Sequence, residues 1–131
     1  MPKFSQLSEE ALQTCHEDLQ ELLRITIQYK NFSVLEGHRN KERQNDMHES
    51  GRSQLSWPDS KHNSEPSKAV DIVPYPVDWK NRERFYHLAG YIQGVAEMKG
   101  IGVRWGGDWD QDGDVCDNHF DDLGHFELTG E

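Results

Sequence analysis

Long apolar runs are missing from this chain of 131 residues. A membrane-spanning helix needs about 18 or more consecutive apolar residues, and no segment approaches that. The opening MPKFSQLSEEALQ carries no apolar core of the kind a secretory signal requires. We therefore expect synthesis in the cytoplasm and no membrane insertion, so that any action outside the cell needs a separate route of release. Cysteine is scarce as well. Cys15 and Cys116 lie far apart and form no CxxC pair, which argues against both a disulfide framework and a cysteine-ligated metal. Both are expected as reduced thiols, Cys15 on a helix and Cys116 in an acidic loop. Positive charge is in deficit: 14 Lys and Arg face 24 Asp and Glu, for a net charge of −10. That balance excludes a nucleic-acid partner gripped through its phosphates. The one basic cluster, HRNKER at 38–43, is soon followed by acids.

What is present suffices for one domain over residues 1–131, expected as a monomer, because a chain of this length can bury a single core without a metal or disulfide. Leu12, Cys15, Leu19, Leu22 and Leu23 recur at spacings of three and four. They predict one helix, or two short ones, within 8–29, with Ser8 as the cap. FSVLEG at 32–37 reads as a strand. Asn40 can cap a very polar helix that runs to about Ser50 and stops at Gly51. Residues 51–68 are rich in Ser, Pro, Asn and Gly, and a loop of that length inside a compact domain usually has a function or is disordered. AVDIVPY at 69–75 is a strand ended by Pro74 and Pro76. Asp78 is the expected cap of the best helix, with Phe85, Leu88, Ala89, Ile92, Val95 and Ala96 on one face and Gly100 as its stop. IGVRW at 101–105 and HFEL at 125–128 complete the strands. Strands and helices do not alternate one for one, so the fold class is α+β, a small, mainly antiparallel sheet with flanking helices.

Histidine stands at 16, 38, 48, 62, 87, 119 and 125. His16, His48 and His87 fall on helices and read as surface or rim residues. His62 in the long loop and His125 at the start of the last strand each lie next to a carboxylate where a backbone element begins or ends. Asp71 sits inside a β-branched run, where an acid is usually the outward residue of an alternating strand. Zinc hydrolases hold the metal through three N or O ligands and keep the fourth position open. Two histidines and a carboxylate meet that need, and the metal lowers the pKa of water towards about 7. A further carboxylate off the metal must accept the proton. Asp122, three residues before His125 in DDLGHFEL, is placed for it. From spacing alone, surface histidines and strand-edge acids explain the same pattern, and both readings stand. Glu127 alternates with His125 and shares its face, either as a partner of the histidine or exposed to solvent. Trp105 and Trp109 read as core or rim aromatics.

Five stretches stand in order from Phe32 to Leu128, FSVLEGHRNKERQ, SGRSQ, SKHN..PS.AVD..PYP.DW, VRWGGDWD and DLGHFEL, and the match that they carry runs from about Phe4 to Leu128. Together they resemble the zinc peptidoglycan peptidases, the group that joins phage L-alanyl-D-glutamate endolysins with D-Ala-D-Ala carboxypeptidases and vancomycin-resistance dipeptidases. The resemblance implies a Hedgehog/D-Ala-D-Ala-peptidase-like fold, with zinc held by His62, Asp71 and His125. It also implies that Asp122 is the catalytic carboxylate and Arg39 the residue that stabilises the oxyanion. Two departures matter. Eight residues, NSEPSKAV, separate His62 from Asp71 where six are commonest in the wider family. The catalytic acid is Asp122 where the dipeptidases have a glutamate. The longer spacing looks like that of the endolysin branch, and the expected activity is hydrolysis of the L-Ala–D-Glu bond in the peptidoglycan peptide stem. D-Ala-D-Ala carboxypeptidase activity is the alternative, and a non-catalytic metal-binding module for wall peptides or a partner is a third possibility. No wall-anchoring segment is recognisable, which suits a thin, accessible wall reached after release by a holin.

Seven of the 24 acids crowd into residues 108–122. In DWDQDGDVCDNH, at 108–119, acids stand at positions 1, 3 and 5 of a calcium-loop pattern with glycine at 6. His119, however, replaces the bidentate glutamate at position 12, so an EF-hand is not expected. A calcium site built from Asp108, Asp110, Asp112 and Asp114 and a solvated acidic loop are the two readings left open.

Overall fold

The computed structural model describes residues 2–108, 111 and 122–130. Four helices and four strands follow one another as α1 (Gln6–Leu12), α2 (Glu17–Ile27), β1 (Phe32–Glu36), α3 (Lys41–Glu49), β2 (Ala69–Pro74), α4 (Arg82–Lys99), β3 (Val103–Trp105) and β4 (His125–Leu128), with a single 3-10 turn at Lys61–Asn63. The strands form one sheet in the order β1-β2-β4-β3, with every pairing antiparallel. The α+β class and the mainly antiparallel sheet are thus as expected.

The apolar periodicity of the first helical region is split between two helices. Ser5, not Ser8, caps α1, its side chain accepting from the Ser8 amide. Ser8 is buried, and its Oγ accepts from the Val34 amide at 2.9 Å, tying α1 to β1. Cys15 lies between the helices rather than on one. The chain there runs beside Ser67: the His16 amide donates to Ser67 O and the Ser67 amide to Thr14 O. His16 then caps α2 by accepting the Asp18 amide on Nδ1. On α2, Leu19, Leu22, Leu23, Thr26 and Ile27 are buried, the spacing of a single inward face.

α4 is the longest element, 18 residues or about 27 Å. Its cap is Asn81, three residues beyond the expected Asp78, which instead turns the chain before it by accepting the Lys80 amide. Gly100 ends the helix at φ 72°, the left-handed conformation glycine adopts without a steric cost. Phe85, Leu88, Ala89, Ile92 and Ala96 of α4 are buried, and Leu88, Ala89, Ile92 and Ala96 join Leu19, Leu22, Leu23, Val70, Ile72 and Phe126 in one core. Within β2, Val70 and Ile72 face that core while Asp71 stays partly accessible. Side chains alternate across a strand, so the sheet turns its apolar face to the helices and presents Asp71 on the other.

Candidate active site

Asp71 sits at the crossing point of the sheet, paired with Glu36 on β1 and with His125 on β4. An irregularity between Val34 and Glu36 re-aims the end of β1 towards it. His62 arrives from the long loop on the 3-10 turn, which a capping box starts: Ser60 accepts from the turn, and the Asn63 side chain accepts from the Ser60 amide. His62 is 2% exposed, so this loop carries a buried imidazole. The Arg39 amide donates to His62 O, and the Asn63 amide group donates to Arg39 O, locking the loop to the segment after β1.

Each imidazole has one nitrogen tied off. His62 Nδ1 stands 2.7 Å from Gly37 O, which requires Nδ1 to carry the proton and leaves Nε2 as a lone-pair acceptor. That Nε2 is buried and makes no hydrogen bond, 3.3 Å from Asp71 Oδ2. On its other side Gly37 lies against the end of α1 and the residues after it, where a Cβ would collide with Thr14, the Ala11 carbonyl and Cys15. His125 is tied off the other way round, its Nε2 2.8 Å from Glu127 Oε1 and its Nδ1 3.1 Å from Asp71 Oδ1. The two rings meet edge to face, with centroids 5.1 Å apart.

One ligand atom from each of His62, Asp71 and His125 lies within 4.8 Å of the others. Ligands about 2.1 Å from one tetrahedral ion stand roughly 3.3 to 3.4 Å apart, close to the 3.1 and 3.3 Å contacts of Asp71 with the two histidines. An orphaned buried imidazole nitrogen facing a carboxylate and a second imidazole nitrogen is a fitting donor set for a divalent metal. The chain can therefore bind a metal ion at this point.

Burial pushes the Asp71 carboxyl up, but the hydrogen bond with His125 and the closeness of both imidazoles outweigh that and hold it well below the usual carboxylate range. Burial lowers His125, yet Asp71 and Glu127 together raise it to about 9. Glu127 is lowered to about 2, because His125 and Arg104 outweigh the cost of its burial. Of the two alternatives for Glu127, solvent exposure fails: it is 7% exposed, bonded to His125 and, at 2.8 Å, to Arg104 across the β3–β4 pair. Lys61 lies 3.6 Å from it and donates to the Leu128 carbonyl.

Arg39 is buried at 4% exposure. Its Nε and Nη2 donate to Glu36 at 3.1 and 2.9 Å, its Nη1 to Gln44 at 2.9 Å, and its Nη2 also to Asp71 at 3.2 Å. Glu36 and Gln44 were not singled out from the sequence. Gln44 is the one buried residue of the otherwise polar α3, and it also donates to Ser53 and Leu55 O in the loop that follows.

Asp122 sits at the turn into β4, its amide donating to Gly106 O and its carbonyl accepting from the His125 amide. The close approach needs glycine, since a Cβ on residue 106 would strike the Asp122 backbone. Burial and then the charge of Asp71 raise the Asp122 carboxyl, with His125, His62 and Arg39 partly offsetting them. Those four are the groups of the centre itself, so Asp122 shares its electrostatic neighbourhood.

The matching family model is that of the phage L-alanyl-D-glutamate peptidases, over residues 1–129. The chain belongs to this family of peptidases. It is 30% identical over 135 residues to the L-alanyl-D-glutamate peptidase of Escherichia phage T5, covering 97% of this chain and 98% of that protein. The crystal structure of the Serratia marcescens L-Ala D-Glu endopeptidase ChiX superposes with a TM-score of 0.77 at 33% identity, over 97% of this chain and 90% of that one. The resemblance carried by the five sequence stretches is therefore a family membership.

Of the remaining expectations, Trp105 is a core aromatic, 3% exposed, with Nε1 donating to Leu123 O. Asp108 is buried and its amide donates to Trp105 O. Asp110, Asp112 and Asp114 of the calcium expectation lie outside the described residues, as do Trp109, Cys116 and His119. Among the described residues, no helix is long and apolar enough to cross a membrane.

Proposed function

We propose that this protein is a zinc-dependent peptidoglycan hydrolase that cuts the L-Ala–D-Glu bond of the peptide stem, acting on the wall after release from the cell in which it is made. The observation that carries the proposal is the pair of imidazoles tied off on opposite nitrogens, by Gly37 O and by Glu127, so that His62 Nε2 and His125 Nδ1 both face Asp71. Both relatives described above are named for this bond. His62, Asp71 and His125 are the three ligands. A zinc ion held there would act as a Lewis acid towards the scissile carbonyl and acidify a water molecule.

The chain's own groups do the rest. Asp122 accepts the proton of the attacking water and returns it to the amine that leaves on the D-Glu side. Its raised pKa suits both halves of that task, because a more basic carboxylate takes the proton more readily and can still give it up. Arg39 keeps the Asp71 carboxylate from turning and sets a fixed positive charge beside the site, where negative charge gathers on the carbonyl oxygen. Glu36 and Gln44 prevent the guanidinium from swinging away.

Metal analysis of the purified protein tests this. About one zinc per chain is expected, with hydrolysis lost to a strong chelator and regained on adding zinc. His62→Ala, Asp71→Ala and His125→Ala should each lose metal and activity together. Full activity in metal-free protein would overturn the proposal.

A further inference from the structure

We propose that a groove at the far end of β2 binds sugar rings of the wall glycan, giving the enzyme a second grip on the polymer whose stems it cuts. This rests on the functional reading above for the identity of the polymer, but on separate residues for the site. The groove encloses about 430 Å³ between the turn after α2, the end of β2 and the start of α4. Lys30, Asn31, Tyr75, Arg84 and His87 line it, over a floor that includes Leu88.

Its surroundings break the usual rule for large aromatics, which bury most of their surface. Tyr75 of the lining is 56% exposed and Trp79, four residues on, is 59% exposed, with Val77 between them exposed as well. Exposed apolar side chains grouped this closely along the chain are the composition of an interaction site. The rings are also held still. Trp79 lies flat on the buried Phe85, with centroids 5.8 Å apart and planes 26° apart, so its outer face is presented to solvent. The Tyr75 amide donates to Asn31 O, and Arg84 donates to Pro76 O at 2.6 Å, pinning the segment between them. Rings fixed before binding lose little entropy when a ligand arrives.

The chemistry on offer matches a sugar. A pyranose has one face of C–H groups, which stacks on an aromatic ring, and a rim of hydroxyl and acetamido groups, which pairs with amide, guanidinium and imidazole groups. Exposed rings supply the first, and Asn31, Arg84 and His87 supply the second. Among the charged lining residues, Lys30 and Arg84 stand against Glu83 alone, a local positive excess on a chain of net charge −10. An acidic wall polymer is therefore not repelled here. Pro74 of the groove lies three residues along β2 from Asp71, about 10 Å of strand, on the helix-packed side of the sheet, so a polymer engaging both places passes round the end of β2.

The test uses the full chain with zinc and two substrates, purified wall sacculi and a soluble stem tetrapeptide beginning L-Ala-D-Glu, together with amide chemical shifts during titration of the tetramer of N-acetylglucosamine. The tetramer should move the signals of residues around Tyr75, Trp79 and His87. Tyr75→Ala and Trp79→Ala should each slow lysis of sacculi by about two- to tenfold, the worth of one ring contact, while tetrapeptide hydrolysis stays at the wild-type rate. Tyr75→Phe, which keeps the ring, should retain wild-type lysis. Unmoved signals, or alanine variants that lyse sacculi like wild type, would overturn the proposal. If the variants lost both activities, the shift titration on the wild-type protein alone would decide it. A wild-type protein that binds the tetramer but cuts neither substrate would instead refute the catalytic reading and leave the glycan site standing.

Discussion

Replacing Asp122 by asparagine separates the proposed proton transfer from the proposed metal holding. The backbone of Asp122 anchors its turn through Gly106 O and the His125 amide, and both bonds survive because asparagine changes only the side chain and keeps its shape. The three proposed ligand atoms belong to other residues, so zinc should stay at about one per chain if the proposal holds. What disappears is the proposed base. Removing a positioned general base costs on the order of 10²- to 10⁴-fold in rate, and the loss should fall on kcat, with KM little changed. Stability moves the other way. The folded pKa of Asp122 is raised above its unfolded value by burial and by Asp71. Its favourable contribution is therefore complete below the unfolded pKa and is lost as pH rises through the folded one. At neutral pH the ionised side chain is a net cost, and the metal-free variant should melt at the wild-type temperature or above it. The assay is single-turnover hydrolysis of a stem peptide beside metal analysis and a thermal melt. Wild-type turnover in the variant would refute the assignment. Loss of zinc from Asp122→Asn, with retention in Asp71→Asn, would require the two aspartates to exchange roles.

Glu127→Ala should weaken zinc binding by about 10- to 100-fold, because His125 loses the acceptor that fixes its ring. Glu127→Gln, whose amide oxygen can still accept that proton, should lose much less; equal affinities for all three proteins in a chelator competition would remove Glu127 from the centre. Burial pushes the Cys15 thiol up to about 12, so between pH 9 and 12 the unfolded chain ionises there while the native one does not. Over that window wild type should lose up to about 1.4 kcal/mol of stability per pH unit relative to Cys15→Ala, measured by urea unfolding; parallel pH curves would show that the thiol titrates normally in the native protein.

Local patterning carried most of the fold into view. The faces of α2 and α4 follow from leucine and isoleucine spacing, and β2 from its β-branched run. Caps were less legible, because several polar residues near a helix start can each accept an amide. Ser8 was the natural candidate for α1, yet its hydroxyl serves Val34 across the fold, a contact no local pattern announces. The break at Cys15 has the same origin, since the chain leaves the helix to run beside Ser67. Around the candidate site, the residue types and their order were visible, and strand alternation put Glu127 on the face of His125 while leaving solvent exposure equally open. Gly37 O was not visible, because a backbone carbonyl 25 residues from its histidine has no signature. Gln44 stayed hidden because α3 has no apolar face to reveal which side turns inward.

Mass spectrometry of purified Gram-negative sacculi digested with the zinc-loaded protein tests the central claim most directly. Cleavage at the L-Ala–D-Glu bond should release peptides with D-Glu at a new amino terminus and leave glycan strands that keep a single L-Ala on each lactyl group. Loss of terminal D-Ala alone, from stems still attached to the glycan, would contradict the account.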